Sequence, residues 1–181
     1  MKIAIIPARS GSKRIKNKNI VNFFGKPLIY YAIKKAIESK IFDYVVVSTD
    51  KRKIANIAIK YGAQVPFLRP LKFSTDKSSC LDTVKHCLKW FVKKGIFFKY
   101  VCMIYPTAPL IKISDLKKGS KMITSNKADF CFTAAEFPSP ILRSFHLNKK
   151  NFVKKTLSKK NFKKNSQNLP KYYFDAGQFY W

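Results

Sequence analysis

The chain has 181 residues, 46% of them hydrophobic, and a formal charge of +28 from 37 Lys and Arg against 9 Asp and Glu. That length fits one domain with a small extension and a sizeable core, and no apolar run approaches the roughly 20 residues of a membrane span. Cys80, Cys87, Cys102 and Cys131 form no CxxC pair and no spaced cluster with His86 or His146, which argues against a disulfide framework or a zinc site and for reduced thiols in a cytoplasmic protein.

Strand and helix patterns alternate along the chain. Ile3 to Ile6 is a short apolar run bounded by Pro7 and reads as a buried strand. Pro27 opens a helix to about Lys40, with Ile29, Ala32, Ile33, Ala36 and Ile37 on one face. Tyr44 to Ser48 is a second strand, a helix follows from about Arg52 to Tyr61, and Gly62 stops it. Gln64 to Leu68 predicts a short third strand. A helix from about Cys80 to Lys94 follows a Ser/Thr/Lys-rich loop, with Ser79 as a suitable N-cap. Tyr100 to Ile104 predicts a fourth strand, Asp115 to Thr124 a helix, and Asp129 to Ala134 a fifth strand.

This alternation implies an α/β fold, a mostly parallel sheet with helices on both faces. Such sheets bind ligands at the carboxyl ends of their strands, which places the loops at 7–19, 49–50, 69–80 and 105–111 on one edge. Residues 1–136 form the predicted core. From 137 to 171 the pattern breaks at Pro138 and Pro140, and lysines recur in pairs, among them Lys149 and Lys150, Lys159 and Lys160, Lys163 and Lys164. This reads as an extended hairpin or arm, solvated or in contact with a second copy. Residues 172–181 return as an aromatic strand ending on Phe179, Tyr180 and Trp181, large rings that need cover.

The loop after the first strand carries Arg9, Ser10, Gly11, Ser12, Lys13 and Arg14. Small residues let backbone N–H groups converge into an anion nest, and phosphate suits such a nest; a basic surface turn is the other reading. The two-glycine spacing of a Walker A loop is absent. Only five of the 37 cations are Arg, whereas nucleic-acid readers lean on Arg for bidentate contacts. The charge therefore reads as a Lys-rich composition whose field attracts polyanions such as nucleoside triphosphates. A basic nucleic-acid-binding module is the rival of another class.

Ile5-Ile6-Pro7-Ala8-Arg9-Ser10-Gly11-Ser12-Lys13-Arg14, then Lys18-Asn19-Ile20 and Gly25-Lys26-Pro27-Leu28, resembles the opening of the sugar cytidylyltransferases, which activate nonulosonic acids with CTP. The resemblance continues through Val47-Ser48-Thr49-Asp50, Leu68-Arg69-Pro70, Ser74-Thr75-Asp76 and Tyr105-Pro106-Thr107-Ala108-Pro109-Leu110 and covers essentially the whole chain. Pro138-Ser-Pro140 and the run from Tyr172 to Trp181 are more similar to the pseudaminic acid branch than to the N-acetylneuraminate branch; an enzyme for another acid sugar is the alternative.

The resemblance implies a Rossmann-like nucleotide-diphospho-sugar transferase fold, a homodimer, and transfer of CMP from CTP to the sugar's anomeric hydroxyl with release of pyrophosphate. It implies Arg9 and Lys18 as catalytic cations on the phosphates. Ala8, Arg9, Ser10, Gly11, Ser12, Lys13, Asn19, Arg69, Ser78 and Cys80 would bind CTP, with Arg69 on the cytosine. Tyr105, Thr107, Ala108, Asp175 and Gln178 would face the acceptor sugar. Asp76 reads as a carboxylate that orders its loop, and Ser78 and Cys80 equally as the start of a helix. Mg²⁺ is the implied cofactor. The family's Asp-rich metal segment and closing helix have no counterpart before Trp181, so the resemblance implies a truncated form with little activity, a CTP-binding fragment at the limit, and cover for the terminal aromatics from beyond it.

Overall fold

The computed structural model describes residues 1–12, 15–76, 78–155 and 165–181. Lys13 and the lysine pairs at 159–160 and 163–164 lie outside the described residues. The chain divides into two units, Met1–Thr133 with Gly177–Trp181, and Ala134–Ala176.

In the first unit, β1 (Lys2–Pro7) is the organising strand. Its side chains alternate between two cores. Ala4 and Ile6 pack with Ile29, Ala32 and Ile33, whereas Ile3 and Ile5 pack with Cys87 and Phe91. Burial on both faces explains why the run is continuously apolar rather than alternating. β2 (Asn22–Phe23) and β3 (Lys26–Pro27) form a small hairpin that leads into α1 (Leu28–Glu38), whose Ile29, Ala32, Ile33 and Ala36 are buried. β4 (Tyr44–Ser48) pairs with β1 in parallel.

α2 (Arg52–Lys60) then ends at Gly62, whose φ of +90° is the left-handed conformation that closes a helix. α3 (Cys80–Val92) starts on a complete capping box. Ser79 Oγ accepts from Asp82 N, and the Asp82 carboxylate accepts from Ser79 N. β5 (Tyr100–Ile104) pairs with the other edge of β1, again in parallel, and α4 (Ile113–Thr124) follows. β6 (Phe132–Glu136) leads into the second unit, which holds a hairpin of β7 (Phe145–Leu147) and β8 (Val153–Lys155). β9 (Tyr173–Tyr180) closes the five-stranded sheet, ordered β4-β1-β5-β9-β6.

Two expectations are corrected, the third strand and the cover of the terminal aromatics. Gln64 to Leu68 forms two isolated parallel bridges, Val46 to Gln64 and Thr49 to Leu68, rather than a strand. Pro66 sits between them and has no N–H to give a ladder. The sheet is mostly parallel, as expected, with β9 running antiparallel to β5 through Met103–Tyr180 and Ile104–Phe179. The terminal aromatics already have cover within their own unit. Phe179 and Trp181 are buried, Trp181 stacks on Phe42 at 5.2 Å between ring centres, and Cys131 and Trp181 exchange both backbone hydrogen bonds. Gly119 of α4 makes that fit possible, since a Cβ there would stand 2.7 Å from Trp181 Cδ1.

The four cysteines are free. Burial pushes the Cys87 thiol up to about 12 and raises Cys102 well above its ordinary value, so both are inert core residues.

Candidate active site

At the carboxyl edge of β1, β4 and β5 lies a cavity of about 410 Å³, within the range of small-molecule sites. Three loops line it. Pro7, Arg9, Ser12, Lys18 and Asn19 come from the loop after β1; Arg69, Phe73, Asp76 and Ser78 from the segment before α3; and Tyr105, Pro106 and Thr107 from the end of β5. The first turn of α3 adds Cys80 and Thr83. The 49–50 loop acts from behind. Asp50 accepts from Ser10 N at 2.8 Å and from Ser10 Oγ at 2.6 Å.

That last contact changes the reading of the nest. The Ser10 amide is already donated to a carboxylate, and the Ser12 amide to Ser10 O at 2.9 Å. The loop is thus held in shape by Asp50, and its side-chain cations carry the charge that faces the cavity. Arg9 spans two loops, donating from Nη1 to Thr75 O at 2.8 Å and pairing with Asp76 at 2.8 Å. Asp76 orders its loop through this pair. Asn19 is buried and donates from Nδ2 to Arg9 O at 2.8 Å, which fixes the backbone that carries Arg9.

Arg69 is the buried cation of the site, only 4% exposed. Its backbone N–H donates to Thr49 O at 2.7 Å, which fixes the main chain beside the end of β4. Nε donates to Ser74 Oγ at 3.1 Å and Nη1 to Thr83 Oγ1 at 2.8 Å. Nη2 is buried and has no partner among the described residues. Desolvation lowers the guanidinium from its ordinary value and Arg9 adds to this, while Asp50 and Cys80 oppose it. A buried guanidinium with one donor group unsatisfied is costly unless something else completes it.

Of the residues expected from the sequence, Arg9, Ser12, Lys18, Asn19, Arg69, Ser78, Cys80, Tyr105 and Thr107 all line this cavity. Ala8, Ser10, Gly11, Ala108 and Gln178 are not among its lining residues. Ala8 and Ala108 are buried in the core, and the Gln178 carbonyl accepts from Tyr105 N at 2.9 Å, which anchors the β5 loop. Asp175 belongs to the second unit, and Lys13 lies outside the described residues. Sequence reasoning missed Phe73 and Thr83. The available signal for Thr83 was a lone hydroxyl on the apolar stripe of α3 that also holds Cys87 and Phe91.

The cytidylyltransferase family profile matches residues 3–178. The chain is 44% identical over 178 residues to the pseudaminic acid cytidylyltransferase of Campylobacter jejuni subsp. jejuni serotype O:2, covering 98% of this chain and 76% of that protein. It is 36% identical over 144 residues to the N-acylneuraminate cytidylyltransferase of Escherichia coli O18:K1:H7, covering 78% of this chain and 33% of that one. Among solved structures, a CMP:2-keto-3-deoxy-manno-octonic acid synthetase complexed with CTP superposes with a TM-score of 0.71 at 16% identity, covering 99% of this chain and 73% of that one. That likeness shows the fold, and the profile running from the first strand into the last shows the family: the protein belongs to the cytidylyltransferases.

Proposed function

We propose that this protein transfers CMP from CTP to a nonulosonic acid, with pseudaminic acid as the acceptor, and releases pyrophosphate. The observation that carries the reading is the cavity itself, which has a buried arginine, Arg69, at one part of its wall and the half-buried cations Arg9 and Lys18 at another. One buried donor group and a separate set of cations suit a ligand with a polar base and a polyanionic tail. The 44% identity to a pseudaminic acid cytidylyltransferase supports the choice of acceptor.

In this reading Arg69 donates to the cytosine edge, whose O2 and N3 are acceptors. Arg9 and Lys18 neutralise phosphate oxygens, and Asn19 holds the backbone of Arg9. The anomeric hydroxyl oxygen attacks the α-phosphorus and loses its proton as the bond to the bridging oxygen breaks, so pyrophosphate leaves. Charge builds on the phosphate oxygens, where fixed cations gain most in the transition state. Tyr105 and Thr107, at the end of β5, face the acceptor. Mg²⁺ belongs to this reading as a neutraliser of phosphate charge when bound. The described residues do not by themselves form its ligand set. The carboxylates nearest the cavity are engaged, Asp50 with Ser10 and Asp76 with Arg9, and no group of three His, Cys, Asp or Glu is placed to hold a metal among the described residues.

The reading includes a cytoplasmic site of action and a homodimer. Four free thiols support the first; exposed Phe145, Phe152 and Tyr173 in the second unit support the second. Among the described residues no helix is long and apolar enough to cross a membrane. The test is product analysis by mass spectrometry after incubation with CTP, Mg²⁺ and a panel of acid sugars. CMP-pseudaminic acid is the expected product; a CMP conjugate formed faster with N-acetylneuraminate or an octulosonate would overturn the choice of acceptor.

A further inference from the structure

We propose that Thr83, with Ser74, is the positioning residue that sets nucleobase discrimination by fixing the Arg69 guanidinium; this rests on the reading that Arg69 meets the base. A guanidinium has five N–H donors in a rigid planar fork, so fixing two of its nitrogens fixes the third. Here Nη1 is fixed by Thr83 Oγ1 at 2.8 Å and Nε by Ser74 Oγ at 3.1 Å, which leaves Nη2 without a partner among the described residues.

Both acceptors are themselves oriented. Thr83 Oγ1 can donate to Ser79 O at 3.5 Å, and Ser74 Oγ donates to Pro70 O at 3.3 Å. With their protons turned toward those carbonyls, the two hydroxyls present lone pairs to Arg69. Thr83 is 3% exposed and sits in the first turn of α3, just after the capping box that starts the helix. Ser74 stands on the opposite, loop side. Arg69 is therefore gripped between a helix end and a loop and cannot swing without leaving a donor unsatisfied. A fixed donor discriminates, because cytosine N3 accepts a hydrogen bond and uracil N3 carries a proton that would oppose it. A guanidinium free to rotate would meet either base through the O2 oxygen they share.

The experiment is calorimetric titration of the full chain and its Thr83→Val, Thr83→Ser and Arg69→Gln variants with CTP, UTP and inorganic tripolyphosphate. Valine keeps the shape of threonine and removes the acceptor. Thr83→Val is expected to weaken CTP about tenfold, the worth of one hydrogen bond to a charged group, and to leave UTP and tripolyphosphate unchanged. Thr83→Ser is expected to restore the preference for CTP. If Thr83→Val keeps the CTP preference while Arg69→Gln loses it, the positioning role is wrong and the base-reading role of Arg69 stands. If Arg69→Gln also keeps the preference, both fall. Equal weakening of all three ligands by Thr83→Val would mark a structural role only and overturn the proposal.

Discussion

Arg9 follows β1 and Arg69 follows the bridged segment beside β4, yet their surroundings give them different work. Arg9 is about a third exposed and shares its guanidinium with Asp76 and Thr75. An ion pair that open to water contributes at most about 1 kcal/mol to stability. Arg9→Ala should therefore leave the unfolding midpoint nearly unchanged while weakening CTP by about 1.5–3 kcal/mol, the range for a charged hydrogen bond. Calorimetry beside chemical unfolding separates the two effects; a loss of stability with CTP affinity intact would contradict the assignment. His86 lies behind the site, its ring 4.9 Å from Phe67 and 4.8 Å from Phe73, with Nδ1 buried and without a partner among the described residues. Desolvation first, then Arg69 and Lys72, hold its pKa below the ordinary 6.5. The folded state thus resists a proton that the unfolded chain accepts. Its stability contribution is complete above pH 6.5 and is lost as pH falls through the lower folded value. His86→Phe should flatten the acid limb of a stability-against-pH curve measured by denaturant midpoints; an unchanged acid limb would contradict this account.

At the scale of elements, the helices were legible because their signals are local. The apolar face of α1 follows from Ile29, Ala32, Ile33 and Ala36 at helical spacing, and the start of α3 follows from Ser79 as N-cap. β1, β4 and β5 were legible as buried runs of the right length. The antiparallel direction of the last strand was not, because the aromatic run Tyr173–Tyr180 reads the same whichever way it is paired. The role of Thr83 was hidden for a related reason. Its partner Arg69 is 14 residues away, and no local pattern couples a hydroxyl on a helix to an arginine on a preceding loop. The packing of α4 on the last strand was equally non-local, and it makes a sharp test. Gly119→Ala should gain up to about 1 kcal/mol in helix propensity, but the new Cβ would meet Trp181 Nε1 at 2.9 Å and Phe179 Cε2 at 3.3 Å. Overpacking of that kind costs about 1–3 kcal/mol, so the variant should be destabilised in urea. A rise in stability would mean that α4 does not press on β9 as described.

At the scale of the whole molecule, the charge of +28 supplies a general attraction for polyanions, and in the proposed function the cavity selects among them. Long-range attraction is screened by salt, whereas the buried contacts of Arg69 are screened much less. In the proposed function this fold selects CTP through the buried Arg69 and holds its phosphates with the half-buried Arg9 and Lys18. Calorimetric titration of the chain with CTP, UTP, ATP and GTP at low and at physiological salt decides this. CTP is expected to bind tightest at both, with the margin over the other three preserved as salt rises. Equal affinity for all four, falling together with added salt, would mean that only the charge is at work and would contradict that selection.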